Sequence, residues 1–161
     1  MRVLRMLAPL ASVALLTAAG AAYAQSAPDG AALYKRCAAC HLASGAGVPG
    51  SFPPLDGHVA ALAEAPGGRD YLVMVISAGL TGEMKVGAST YRGFMPAQVG
   101  LKDDAAAALL NHVLTGIIKP ASKAKPFTAE EVAAIRATHK GKRAADVMKM
   151  RPALPAKAAT K

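Results

Sequence analysis

Apolar positions along the chain change their spacing several times, and each change marks an element. From Met6 to Ala22 there is no charged residue; Met1, Arg2 and Arg5 precede this run, and the small-residue triplet Ala22-Tyr23-Ala24 closes it. That is the pattern of a secretory signal peptide over residues 1–24, cleaved after Ala24. A membrane anchor is the alternative, but the run is short for a bilayer span, contains Pro9 and is rich in weakly apolar Ala.

Asp29 is placed to cap a helix over Gly30 to Cys40, with Leu33 and Cys37 on one face. Gly45 to Gly57 holds four Gly and three Pro and reads as a loop. Arg69 to Ala78, between Gly67-Gly68 and Gly79, is apolar almost all round, as expected of a buried helix. Met84 leads into Lys85 to Tyr91, a short hairpin around Gly87. The clearest amphipathic helix runs from Asp103 to Thr115: Ala105, Leu109 and Val113 join Ala106, Leu110 and Leu114 in one wide stripe. Asp103 and Asp104 suit its N-terminal dipole, and Gly116 can stop it.

Beyond Gly116 the apolar pattern narrows. Lys119 to Pro126 reads as a linker over the surface. Thr128-Ala129-Glu130-Glu131 is a capping box opening a helix through about His139, and Asp146 to Met150 predicts one more turn before Pro152 and Pro155. A stripe as narrow as Val132 and Ile135 predicts docking on the core, not a separate domain. The expected division is therefore a signal peptide at 1–24, one domain at 25–116, and a partly helical basic extension at 117–161.

Composition agrees: 53% hydrophobic with 18% charged residues belongs to a folded domain and not a disordered chain. The net charge of +9 is unevenly placed. Residues 25–116 carry six bases against seven acids, whereas 117–161 carry eleven against three. The basic pI is thus a property of the extension. No recognition motif or interleaved aromatics accompany it, so nucleic-acid binding is not expected. Peripheral contact with an anionic membrane surface, or a role as a binding module, would rest on this charge alone.

Both cysteines stand in Cys37-Ala38-Ala39-Cys40, followed directly by His41. A thioredoxin-like redox pair would need a βαβ pattern, which is missing, and a zinc site would need a second ligand pair. Covalent haem attachment needs two thiols for the vinyl groups and an adjacent imidazole for the iron, all in one short segment. Export to an oxidising compartment favours this third reading.

A ligand for the other face of the iron could come from Met74, Met84, Met95, Met148, Met150, His58, His112 or His139. Met74 lies in an apolar run and reads as core, and Met84 as an apolar position of the hairpin. Met95 stands in the turn Tyr91 to Pro96, where Gly93 permits close approach and Pro96 stiffens the exit. His58 is the best nitrogen alternative, though its ordinary place would be a solvent-facing loop. His112 falls in a helix, and His139 reads as a solvated residue of the basic extension.

From Asp29 to Gly116 these features resemble a monohaem class I cytochrome c of the bacterial periplasmic type. The resemblance rests on Cys37-Ala38-Ala39-Cys40-His41, on Tyr91-Arg92-Gly93-Phe94-Met95-Pro96, and on Pro53-Pro54-Leu55-Asp56-Gly57. It implies an all-α fold of several short helices wrapped around one covalently bound haem c, with the N- and C-terminal helices crossing. Cys37 and Cys40 would attach the haem, His41 and Met95 would ligate its iron, and Tyr91 would belong to the same pocket. Pro53 would accept a hydrogen bond from the His41 imidazole, and Leu55 would pack on the haem face.

The chain departs from the family pattern at three places. Leu33 and Asp29 hold positions where an aromatic and a Gly are usual, with Tyr34 and Gly30 one residue later. His112 replaces an aromatic at the helix crossing, so that contact is either Tyr34 to His112 or a looser one. Arg92 replaces an Asn, and is either a propionate partner or an exposed turn residue.

A haem closed by His41 and Met95 has no position for substrate. The expected function is therefore periplasmic single-electron transfer, without enzymatic activity of its own. The redox partner would be a periplasmic dehydrogenase, with this chain either a free carrier or its cytochrome subunit, or a terminal oxidase. The competing class is a haem enzyme or gas sensor with an open or displaceable sixth position.

Overall fold

The computed structural model describes residues 27–154. The expected signal peptide lies outside the described residues, as does Pro155. Helix α1 spans Gly30–His41, and the Asp29 carboxylate caps it by accepting from the Ala31 and Ala32 amides at 2.9 and 3.2 Å. It ends immediately after His41 because Leu42 turns to φ +63°, a left-handed conformation that costs a β-carbon-bearing residue about 1–3 kcal/mol. The Tyr34 hydroxyl, donating to the Leu42 carbonyl at 2.8 Å, holds that turn.

A glycine- and proline-rich loop leads into α2 (Val59–Glu64), which the sequence pattern did not predict. Six residues cannot display a period, and His58 provides no side-chain cap. Helix α3 (Gly68–Ala78) follows; it buries Tyr71, Leu72, Val73, Met74 and Ile76, in keeping with its nearly all-round apolarity. Its first residue must be glycine, since a β-carbon there would collide with the Leu62 carbonyl.

Strands β1 (Leu80–Val86) and β2 (Ser89–Met95) form an antiparallel hairpin with Gly87 and Ala88 at its turn. The all-α expectation thus gains a two-stranded sheet. The segment expected to turn around Gly93 instead remains extended, because Gly82 and Gly93 face each other in the register and the pairing continues to Leu80 and Met95. Met95 is the last residue of a strand and not part of a turn.

Helix α4 (Asp103–His112) widens into a π-helical turn over Val113–Ile117, where a regular helix through Thr115 was expected. It crosses α1 closely. A β-carbon on Gly30 would press into the Ala108 carbonyl and stand 2.8 Å from His112 Cβ. The Tyr34 and His112 rings meet with centroids 5.7 Å apart and planes tilted by 56°, so the crossing is the aromatic contact and not the looser one.

The extension closes back on this frame. Lys119 N donates to Asp56 Oδ1 at 2.9 Å, and Ser122 Oγ and Lys123 N both reach Glu64 Oε1 at 3.0 Å. Helix α5 (Ala129–Thr138), capped by Thr128, packs on α3 and α4; α6 (Ala144–Lys149) packs on α3 and β1. Val132 and Val147 are fully buried and Ile135 nearly so, so the extension shares the single core. Arg136 anchors it by donating to Asp103 at 2.6 Å and to the Leu101 carbonyl at 3.0 Å.

Candidate functional site

His41 occupies the last turn of α1 and is 8% exposed. Its Nδ1 lies 2.9 Å from the Pro53 carbonyl oxygen. A carbonyl only accepts, so Nδ1 carries the proton and Nε2 keeps a free electron pair. Burial pushes the imidazole below its ordinary pKa, partly countered by the Pro53 contact, so the ring is neutral near pH 7. The adjoining backbone is held as well, with Gly47 N donating to the His41 carbonyl at 3.0 Å.

Cys37 and Cys40 are free thiols almost one helical turn apart on the same helix. Burial holds the Cys37 thiol above its usual pKa. Together with His41, Pro53, Leu55, Tyr91 and Met95 they line one largely apolar cavity, so the structure brings all seven sequence-derived site residues together.

The hairpin supplies one wall. Strand alternation turns Leu80, Gly82 and Met84 of β1, and Tyr91, Gly93 and Met95 of β2, toward the cavity. Met95 is fixed through its backbone. Gly79 ends α3 at φ +78°, and a β-carbon there would collide with the Met95 carbonyl and come within 2.9 Å of Ala97 N. Just beyond Pro96, Gln98 N donates to the Ile76 carbonyl at 2.8 Å and ties the exit to α3.

Other expectations change in place. Met84 does face the cavity, where its sulfur accepts from the Tyr71 hydroxyl at 3.9 Å. Met74 is core, and His112 packs on Tyr34. His139 is paired with Asp70 at 2.8 Å instead of being simply solvated, since α5 returns over α3. Arg92 is exposed and bonds Glu83 at 2.6 Å across the hairpin, away from the cavity wall.

His58, expected at the surface, is 5% exposed and lines the cavity. Burial first, and the Arg151 charge second, push its pKa down to about 4, so it is neutral near pH 7. His58 and the cavity residues Tyr71 and Met148 belong to no short motif. Only the folding of α2, α3 and α6 around the chamber makes them neighbours.

The chemistry of the donor set fits haem: paired thiols, an imidazole with a free Nε2, and a thioether around an apolar chamber. Among the described residues no group of three or more His, Cys, Asp or Glu side chains gathers as a metal-binding cluster.

Comparison with known proteins agrees with this chemistry. The family model for cytochrome c matches residues 27–116. A cytochrome c-552 of Thermus thermophilus is 47% identical over 127 residues, covering 78% of this chain and 84% of its own length. A second Thermus thermophilus cytochrome c-552 is 49% identical over 111 residues, covering 68% and 85% respectively.

Proposed function

The chain belongs to the cytochrome c family, and from that premise we propose that it is a periplasmic carrier of single electrons, closed on both faces of its haem by His41 and Met95. The family binds haem c covalently, and Cys37 and Cys40 fit its attachment motif. When bound, the haem supplies a one-electron couple whose potential a Met donor raises.

The observation that carries this reading is the bond between His41 Nδ1 and the Pro53 carbonyl. It assigns the proton to Nδ1, aims the ring, and leaves Nε2 free to ligate iron. Met95 offers its thioether from the same cavity, with its backbone wedged against Gly79. Apolar residues such as Leu55, Leu72 and Leu109 line the chamber and keep its dielectric low. A low dielectric of this kind lessens the solvent rearrangement that accompanies a change of charge.

Partner docking follows from where charge is absent. Ala38, Ala39, Gly45 to Val48, Pro96 and Ala97 are all uncharged, so the contact with a periplasmic dehydrogenase or terminal oxidase is small and mainly apolar. The exposed bases Lys119, Lys123, Lys125, Lys140 and Lys142 attract an acidic partner or an anionic membrane surface over a longer range. That attraction is screened over about 8 Å at physiological ionic strength.

Replacing Met95 by Leu tests the ligand assignment. The variant loses the sulfur-to-iron absorption band and its potential falls, whereas Met84→Leu keeps both. The reverse pattern transfers the role to Met84.

A further inference from the structure

The segment from Met95 to Leu101 joins the hairpin to α4 and is poorly covered: Val99 is 87% exposed, and Gly100 is exposed beside it. Burial does not hold the middle of this segment, so its place is fixed at a few points. Gly79 wedges its first residue, Gln98 N donates to the Ile76 carbonyl at 2.8 Å, and Leu101 is buried at its end.

At that end stands Arg136 of α5. Its Nε donates to Ser77 Oγ at 2.9 Å, and its Nη1 donates both to the Leu101 carbonyl at 3.0 Å and to Asp103 Oδ1 at 2.6 Å. One guanidinium thus ties together the last turn of α3, the end of the Met95 segment and the first residue of α4. Among the described residues no other side chain from outside the segment hydrogen-bonds to it. The Arg136 side chain is only 25% exposed, and charge-assisted bonds are stronger than neutral ones. The planar guanidinium also offers its donors in fixed directions, which an ammonium does not.

We infer that Arg136 is a positioning residue for Met95: by pinning the far end of the Met95 segment against α3, it governs how readily the thioether leaves the iron, although residue 136 lies outside the stretch matched by the family model. The inference rests on the ligation by His41 and Met95 proposed above. With its backbone wedged against Gly79, Met95 withdraws by moving the segment off α3, and that motion parts Gln98 from Ile76 and Leu101 from Arg136. The bonds of Arg136 act against this local opening. An outside ligand reaches the iron only in the opened form, so the same bonds slow its entry.

The test follows two rates in the holoprotein: cyanide binding to the oxidised form in saturating cyanide, where the rate is that at which Met95 leaves, and amide hydrogen exchange at Gln98 and Leu101. Arg136→Gln should raise both about tenfold, the scale of one charge-assisted hydrogen bond lost from an opening equilibrium. Arg136→Lys keeps the charge but cannot span Ser77, Leu101 and Asp103 together, so it restores only part of the native behaviour. Ser77→Ala removes a single bond and should act in the same direction; it serves if Arg136→Gln does not accumulate. Asn111→Ala, which frees the extension at Phe127 instead, should leave both rates native.

Native rates in Arg136→Gln, even with lowered thermal stability, would overturn the inference and leave Arg136 a fastening of the extension alone. Equal acceleration in Asn111→Ala would also overturn it, because general loosening would then explain both variants. Failure of the ligand assignment looks different: Met95→Leu would then bind cyanide no faster than the wild type, and the inference would fall with that assignment.

Discussion

Asn111 and Phe127 hold each other through both ends of one side-chain amide. Asn111 Nδ2 donates to the Phe127 carbonyl at 2.9 Å, and Phe127 N donates back to Asn111 Oδ1 at 2.7 Å. Asn111 belongs to α4 and Phe127 to the extension, so this pair fastens the two parts of the chain. The Phe127 ring lies under the Arg69 guanidinium, 3.8 Å from its carbon to the ring centroid, and is 3% exposed. The extension is therefore an integral part of the fold, despite its separate charge and composition.

Removing the clasp should cost stability. Asn111→Ala leaves the amide and carbonyl of Phe127 without partners, and a loss of about 1–3 kcal/mol is expected from each buried group left unsatisfied. Urea unfolding followed by haem absorbance and far-ultraviolet dichroism measures it. A variant as stable as the wild type would show that the extension docks without this pair.

Gly79 should prove as necessary to Met95 as any residue within the cavity. Alanine there must adopt φ +78° and push its β-carbon into the Met95 carbonyl. Gly79→Ala is expected to lose about 1–3 kcal/mol from overpacking and strain and to weaken the sulfur-to-iron band. Gly50→Ala provides the control, since its φ of +75° carries similar strain but nothing lies within 4 Å of the added carbon. Equal loss of the band in both variants would contradict the positioning role.

Tyr34 makes a prediction in alkali. Burial, more than the neighbouring Cys37, pushes its pKa up to about 12. The folded protein therefore holds a proton that the unfolded chain releases near pH 10, and this stabilisation is complete below about pH 10 and lost as pH rises toward 12. Tyr34→Phe should flatten this part of the alkaline unfolding curve. At neutral pH the same variant should lose about 0.5–1.5 kcal/mol with the hydrogen bond to the Leu42 carbonyl. An unchanged alkaline slope would assign that slope to other groups, among them Tyr71, whose pKa burial also raises to about 12.

Much of the molecule was legible where local chemistry decides the outcome. The Asp29 and Thr128 caps, the apolar girth of α3 and the stripe of α4 all lie in consecutive residues, and the structure forms helices there within two or three residues of the expected ends. The two thiols and His41 were legible for the same reason, because their spacing on one helix places them together. Where pairing across the chain decides, the pattern misled. Gly93 resembles a turn residue until its partner is seen to be Gly82, and only then does Met95 belong to a strand. His58 and Met148 share the cavity wall with no motif between them, because α6 packs on α3 and β1. The narrow stripe of α5, by contrast, was legible: Val132 and Ile135 are the residues it buries in the core, while Arg136 and Arg69 add contacts that the stripe does not show.

Exposing the reduced native holoprotein to carbon monoxide and recording its absorption spectrum tests the central claim most directly. A site closed by His41 and Met95 leaves no coordination position, so the spectrum should remain unchanged near neutral pH, whereas Met95→Leu should bind the gas under the same conditions. Binding by the wild type with an affinity like that of the variant would contradict the closed electron carrier and establish a haem with an open or displaceable sixth position.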